Sequence, residues 1–149
     1  MTTQMPRSCG IDQSILGTPI SATPTGTIYQ HETSKNADGG ALASSFTTGF
    51  FAISDGLENM FVDWMLPDFK WNLFPSQSGA SIQVTLYSQF YPNGTVTTYG
   101  PFTVTSSLPY FNPRLRGRLI SMKVESSDLD SWWRLGGCRL RLQASGRNP

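Results

Sequence analysis

The most constraining feature of the sequence is a ten-residue segment in which apolar and polar residues alternate with a period of two. Within residues 81–90, Ile82, Val84, Leu86 and Phe90 fall on one side, and polar or aromatic residues separate them. Successive side chains of a β-strand point to opposite faces of its sheet, so this pattern predicts a strand with one buried face.

Two later segments alternate in the same way. In residues 118–125, Ile120, Met122 and Val124 share one face. Residues 132–135 and 138–143 form the last predicted strand. In its second part the predicted inward residues are Cys138, Leu140 and Leu142, and the predicted outward residues are Arg139, Arg141 and Gln143. Both segments are therefore expected to bury one face and to expose the other.

The most apolar stretch, residues 59–71, also favours a strand. Pro67 prevents a regular helix through it, because proline lacks a backbone N–H and its ring clashes with the preceding turn. Met60, Val62, Trp64 and Leu66 share one parity and are expected to face the core, in a strand that ends near Pro67. Further strands are predicted at residues 27–32, 42–51, 95–99 and 102–105.

Composition supports an all-β fold with many turns. The 149 residues include 14 Gly and 10 Pro, and only 14% are charged, which argues against helical bundles and coiled coils. Asn93-Gly94 is a typical tight-turn dipeptide, since it tolerates positive φ. We expect an antiparallel, jelly-roll-like β-sandwich of about seven or eight strands, formed by residues 28–147.

Residues 1–27 show no lasting periodicity and carry Pro6, Pro19 and Pro24. They are predicted to form an extended, irregular arm that becomes ordered only against another surface. The arm's own candidate anchor residues for such a contact are Ile11, Ile15, Leu16 and Ile20.

Charge is unevenly distributed along the chain. Residues 1–113 hold three basic and seven acidic residues, a net charge of −4, and residues 114–149 hold eight basic and three acidic residues, a net charge of +5. Seven of the eight Arg lie in this last part. It is either a solvated strand face or a contact surface for an acidic partner, including the acidic part of a neighbouring copy. The total of +1 makes nucleic acid an unfavoured partner.

Arg and Trp are enriched at the energetic centres of protein interfaces. Adjacent Trp residues on a strand point to opposite faces, so one is expected in the core and the other on the surface. The aromatic residues of the chain form either core or a sugar-stacking platform. The predicted interface residues are Arg116, Arg118, Trp132, Trp133, Arg134, Arg139 and Arg141.

Arg118 has the same parity as the apolar Ile120 and Met122, which leaves three alternatives. The strand begins after Arg118, or a bulge at Gly117 changes the face, or Arg118 is buried and paired. Its expected partner in the last case is the acidic loop 125–130.

The sequence carries few signs of catalysis. It has no phosphate-binding loop, dinucleotide-binding glycine motif, zinc-protease motif or serine nucleophile elbow. The carboxylates of Glu125, Asp128 and Asp130 lack calcium-loop spacing and are better explained as a solvated loop. The lone His31 is expected to be hydrogen-bonded within the fold, and Cys9 and Cys138 are expected to be free thiols. We therefore predict no enzyme activity, no catalytic residues, no metal and no cofactor.

Two long stretches carry a family resemblance. Residues 29–69 include YQHE with Asp38-Gly39, Phe51 with Asp55-Gly56, and MFVDWMLPDF at residues 60–69. Residues 84–147 include RLRGRLISMKVESSDLDSWWRLG and a final Gly-Arg. This pattern resembles the C-terminal β-rich region of tail tube or nozzle proteins of short-tailed bacteriophages. The resemblance covers most of the chain.

Proteins of that family are several times longer and carry a propeller-like body before this region. Here about 28 residues stand in that place, so the chain looks like the terminal module alone. The resemblance implies a virion structural protein of the tail or head–tail junction, such as a ring subunit, plug, decoration or fibre adaptor. Its implied partners are copies of itself and other virion proteins. The alternative is a carbohydrate-binding decoration or fibre-adaptor module.

Location follows from what the sequence lacks. No apolar run approaches the ~20 residues that cross a bilayer, and residues 1–10 have no apolar core of a secretory signal. We expect synthesis in the host cytoplasm, incorporation into the virion and no membrane partner.

Overall fold

The computed structural model describes residues 7–13, 15, 17–52, 56–71 and 81–147. These residues form strands and connecting turns, and none of them lies in a helix, so the described part contains no helix able to cross a membrane. In chain order the strands are β1 Cys9–Ile11, β2 Ile20–Ala22, β3 Ile28–Gln30, β4 Asn36–Ala37, β5 Gly40–Ala41, β6 Ser44–Thr47, β7 Phe51–Ala52, β8 Glu58–Trp71, β9 Ile82–Gln89, β10 Thr97–Val104, β11 Leu115–Gly117, β12 Leu119–Ser126 and β13 Trp133–Arg147.

The strongest sequence pattern forms the middle of a five-stranded antiparallel sheet. Its order is β10-β9-β12-β6, and β7 pairs with β12 beyond the end of β6. Val84 on β9 lies opposite Val124 on β12, and Leu86 lies opposite Met122, so the two predicted apolar faces coincide. The expected strands at 95–99 and 102–105 are one strand, β10, with a register shift between Tyr99 and Phe102.

A second, three-stranded sheet has the order β11-β8-β13. The 14-residue β8 and the 15-residue β13 pair over almost their whole length. The chain before β11 also follows β8, since Phe111 and Met65 exchange two backbone hydrogen bonds of 2.9 and 3.0 Å.

The two sheets face each other over one apolar core, which confirms the predicted all-β, sandwich-like antiparallel fold. One lateral side is closed by Phe102 and Phe111, whose rings stack 4.6 Å apart. The buried apolar side chains are Met60, Val62, Met65, Ile82, Val84, Leu86, Val104, Phe111, Leu115, Ile120, Met122 and Val124.

The chain crosses from one sheet to the other at Gly117 and Arg118. Gly117 ends β11 opposite Met60, and Leu119 begins β12 opposite Gln89. A strand that changes sheets makes a corner of a sandwich. Of the three alternatives for Arg118, the structure has the first: the strand begins after it.

The predicted face of the apolar stretch is correct only for its first half. Met60 and Val62 are buried, but the buried residues that follow are Met65 and Pro67, and Trp64 lies on the outside. Arg141 lies opposite Trp64 and Leu142 opposite Val62, so Asp63 is an extra residue in β8. This β-bulge reverses the parity of all residues after it, and the strand continues past Pro67 to Trp71.

The described N-terminal residues differ from the expected irregular arm. Strands β1, β2 and β3 form a three-stranded antiparallel sheet, called here the N-terminal sheet, which the predicted boundary at residue 27 divides. His31 fastens it, because its backbone N–H donates to Pro19 O at 2.8 Å and its ring bonds the Ser21 hydroxyl. Each of its strands has three residues, too few for reliable detection by periodicity.

Several expected features fall in other places. The predicted strand 42–51 is two strands, β6 and β7, and both pair with β12. Asn93 has φ 63° in the predicted turn. Leu16, a possible anchor point, lies outside the described residues.

Gly117 offers a test of the corner. A Cβ built there would lie 2.9 Å from Ser88 Cβ, and Ser88 is 1% exposed. We expect Gly117→Ala to lower the free energy of unfolding by about 1–3 kcal/mol, because overpacking forces backbone shifts. Urea denaturation measures it. Gly137→Ala is the matched control, since a Cβ at Gly137 meets nothing within 4 Å. Equal effects of the two substitutions would contradict the tight corner.

Candidate protein interface

Four of the five predicted arginines lie together on the outer face of the β11-β8-β13 sheet. Arg116 lies opposite Phe61, and Arg139 and Arg141 lie opposite Leu66 and Trp64. Residues directly opposite in an antiparallel pair share a face. With Arg134 and Lys70, which also face each other, these residues form what we call the cationic face: Phe61, Trp64, Leu66, Lys70, Arg116, Arg134, Arg139 and Arg141.

The bulge at Asp63 is held from across the strand pair by Arg141. The Arg141 Nε donates to Asp63 Oδ1 at 2.7 Å. This hydrogen bond holds the pKa of the Asp63 carboxyl below its ordinary value of 3.8 and raises the pKa of Arg141. The Asp63 side chain is 19% exposed and that of Arg141 is 62% exposed. Arg141 therefore holds Asp63 within its own sheet. Because the Arg141 side chain is largely exposed, its remaining N–H groups are open to a partner.

A second register shift brings Arg139 near Asp68. Between Leu135 and Cys138, β13 has Gly136 and Gly137 where β8 has only Asp68. The Arg139 Nε lies 3.6 Å from Asp68 Oδ2, and both side chains are well exposed. An exposed pair at this distance contributes little to stability, so Arg139 is available for other contacts.

Arg116, Arg134 and Lys70 have no carboxylate partner among the residues that the structure describes. Arg134 and Lys70 are both exposed and directly opposite each other on β13 and β8. Like charges directly opposite on a sheet are destabilising. This end of the cationic face therefore favours the approach of an acidic group.

Between the charges, the cationic face has an apolar floor. Phe61, Trp64 and Leu66 are half-buried, and the Trp64 ring lies 6.2 Å from that of Tyr110. Protein interfaces are richer in arginine and aromatic residues than the rest of a protein surface. The composition of the cationic face is therefore typical of an interface. The sequence prediction missed this floor because the bulge at Asp63 moves Trp64 and Leu66 from the predicted core-facing side of β8 to its outer side. The one available signal was the acidic Asp63, which stands between the apolar residues 60–62 and 64–67.

The other predicted interface residues lie elsewhere. Arg118 sits at the corner between the sheets, its guanidinium 5.9 Å from the Tyr91 ring centre, and its Nε has no hydrogen-bond partner within the described ranges. The Trp133 ring faces the interior, 5.7 Å from Phe69 and 6.0 Å from Phe46, and Trp132 is 37% exposed.

The acidic loop 125–130 is not the partner of Arg118; that expectation was wrong. Glu125 pairs with Lys123 at 2.7 Å, and Asp130 exchanges hydrogen bonds of 2.7 Å with the Asn36 side chain. Asp128 accepts from the backbone N–H and the hydroxyl of Ser81. Asp128 and Asp130 thus fasten neighbouring segments, whereas Glu125 pairs within its own strand, β12.

Glu125 and Asp128 also border an open depression of about 420 Å³. It is lined by Ala43 and by polar residues: Ser44, Ser45, Ser81, Gln83, Glu125, Ser126, Ser127 and Asp128. Hydroxyl, amide and carboxylate groups at this density suit a hydroxyl-rich ligand. Four of the residues that line it already pair within the protein: Ser81, Gln83, Glu125 and Asp128.

The remaining titratable residues form no further cluster in the described structure. No group of three or more His, Cys, Asp or Glu there has the arrangement of a metal site. Cys9 and Cys138 are exposed free thiols. Compared with known protein families and with curated proteins, the sequence matches none.

The Asp63–Arg141 bond predicts a pH-dependent contribution to stability. A carboxyl whose pKa is lower in the folded state stabilises the fold above its unfolded pKa, and this stabilisation is lost as the pH falls through the folded pKa. The unfolding free energy of the wild type should exceed that of Asp63→Asn near neutral pH. The difference should shrink below pH 3.8. Urea denaturation at several pH values measures it.

Arg141→Gln is the control for this measurement. In its background the guanidinium partner is missing, so Asp63→Asn should no longer have an effect that grows with pH. An unchanged pH dependence in the double variant would show that Arg141 is not the cause.

Proposed function

We propose that the chain is a structural protein of a bacteriophage virion, in the tail or at the head–tail junction. It assembles by contact with copies of itself and with other virion proteins. In this function it performs no reaction and needs no cofactor. It is made in the host cytoplasm and ends up in the virion.

The observation that carries the proposal is the cationic face. Its five basic side chains outnumber Asp63 and Asp68, the carboxylates that lie among them, and only two of the five pair with these. An apolar floor under arginine allows burial and directional hydrogen bonds at one contact. The first 113 residues carry a net charge of −4, so a neighbouring copy offers acidic surface of its own.

The family resemblance supports the same function. Its second stretch, residues 84–147, supplies β9 to β13 and all the arginines of the cationic face. The resemblance supports a location in the virion. The chemistry of the cationic face supports contact with an acidic protein surface. Neither argument depends on the other.

A carbohydrate-binding decoration or fibre-adaptor module is the second candidate. The polar depression near Asp128 and the exposed Trp132 in the same loop favour it, because sugars are held by polar side chains and a stacking ring. Binding to a glycan array that is lost in Trp132→Ala and kept in Leu108→Ala would favour this candidate over assembly.

Charge reversal tests the cationic face. We expect Arg116→Glu with Arg134→Glu to weaken association at least about tenfold, since like-charge contacts replace attraction. Sedimentation velocity over a concentration series measures self-association. The same experiment with the purified virion proteins added measures association with them. Lys123→Glu is the matched control, because Lys123 lies on the outer face of the other sheet. Equal losses in both variants would remove the cationic face from the proposal.

The virion location has its own test. Mass spectrometry of purified particles from the phage that encodes the chain should find it in a fixed copy number. Its absence from such particles would contradict the proposed location, whatever the purified chain does in solution.

A further inference from the structure

One edge of the sandwich is longer and more regular than the others. At the edge formed by β10, the strand has a register shift and contains Pro101, which lacks a backbone N–H. The edge strands β6, β7 and β11 have only four, two and three residues. β13 has 15 residues and, within the described ranges, pairs only with β8. Short strands, prolines and bulges protect an edge against pairing with another chain, so β13 is the least protected edge.

The regular part of this edge is residues 138–144, called here the edge segment. It lies between the register shifts that follow Leu135 and Ala144, and each of its residues has a partner on β8. The extra residue within this stretch, Asp63, belongs to β8, so the backbone of the edge segment is continuous. Alternate residues of an antiparallel strand direct their N–H and C=O groups to opposite edges. Every second residue of the edge segment is therefore open to hydrogen bonds from an added strand.

The side chains of the edge segment form two rows. The outer row is Arg139, Arg141 and Gln143, and the inner row is Cys138, Leu140, Leu142 and Ala144. The Arg139 and Arg141 side chains are 71% and 62% exposed, and residues 141–144 are exposed on both faces of the sheet. An added strand would meet cationic groups on one face and aliphatic groups on the other.

These two rows define the sequence of a matching strand. Directly opposite residues of neighbouring strands share a face, where opposite charges are stabilising and like charges are destabilising. A strand with acidic residues at every second position places them beside Arg139 and Arg141. Its intervening apolar residues lie beside Leu140 and Leu142 and remove apolar surface from water. In peptides that add to a sheet edge, the backbone supplies affinity and the alternate side chains supply specificity.

A second copy of this chain does not supply such a strand. None of the described strands has acidic residues two positions apart. Asp128 and Asp130 have this spacing, but they lie in a loop and bond Ser81 and Asn36. Pairing two edge segments would collect the arginines of both copies on one face, where like charges repel. The matching strand therefore belongs to a different protein.

We propose that the edge segment binds an extended segment of another protein in which acidic and apolar residues alternate. The bound segment becomes a fourth strand of the β11-β8-β13 sheet. This inference rests on the proposed assembly function and deepens it, because it names the chemistry of the partner and the mode of contact.

A synthetic peptide as long as the edge segment, with valine and glutamate alternating, tests the proposal. We expect NMR titration of the full chain to detect binding. Amide hydrogen exchange should slow at every second residue of the edge segment, because those N–H groups become hydrogen-bonded. Binding without this alternating protection, or no binding, would overturn the inference.

Backbone methylation of the peptide isolates the role of its hydrogen bonds. One version is methylated at every valine nitrogen and the other at every glutamate nitrogen. Only one of these two sets of N–H groups faces β13, so one version should bind at least about tenfold more weakly than the other. Equal affinities of the two versions would overturn strand addition.

Charge is tested on both partners. A peptide with lysine in place of glutamate should bind at least about tenfold more weakly, because like charges then lie opposite each other. Arg139→Glu should weaken binding of the glutamate peptide several-fold for the same reason. Lys123→Glu, on the outer face of the other sheet, is the matched control and should leave binding unchanged. A lysine peptide that binds equally well would overturn the acidic partner.

The same measurements examine a second copy as the occupant. Amide protection of the edge segment that grows with protein concentration, in the absence of peptide, would show that two copies pair there. That result would overturn the assignment to a different protein.

The outcomes separate this inference from the proposed function. If the chain is found in particles but the alternating peptide does not add to the edge segment, the virion function stands and strand addition falls. If the peptide adds to the edge segment and the chain is absent from particles, strand addition stands and the virion function falls.

Discussion

The pairing of β8 with β13 is the interaction on which the other features of the molecule depend. β8 lies between β11 and β13, and its inner side chains complete the core against the five-stranded sheet. The pairing is interrupted three times, and each interruption reorients side chains. Because Asp63 bulges, Met65 reaches the core and Trp64 reaches the surface. Trp64 and Leu66 belong to the apolar floor of the cationic face only because of that extra residue.

The sequence predicted the parts of the fold that depend on periodicity and missed those that depend on single residues. β9 and β12 were visible because burial of one face imposes alternation over six or more residues. The second half of β13 alternates as predicted, but its inward residues Cys138 and Leu142 are exposed. The bulge at Asp63 depends on a hydrogen bond from Arg141, 78 positions away, which no local pattern reveals. The N-terminal sheet has strands too short for a period, and its pairing is equally non-local.

For the candidate interface, the sequence indicated which residue types to consider but not where each one lies. Arg116, Arg134, Arg139 and Arg141 were grouped by residue type, and the strand registers place them on one face. Arg118 was included for the same reason, but it occupies the corner where the chain changes sheets, so its neighbours are Tyr91 and Gln89. Parity assigns a residue to a face only while the chain stays in one sheet.

β13 carries two chemically different rows along a single strand, arginine on its outer side and the apolar Leu140 and Leu142 on its inner side. It is also the last strand of its sheet, so its far backbone edge is open. Extra residues at Gly136-Gly137 and around Gly146 interrupt the regular spacing of backbone groups along that edge. The longest uninterrupted piece is residues 138–144. A straight foreign strand can therefore add in register over no more than these seven residues, which limits how far edge-to-edge pairing can extend.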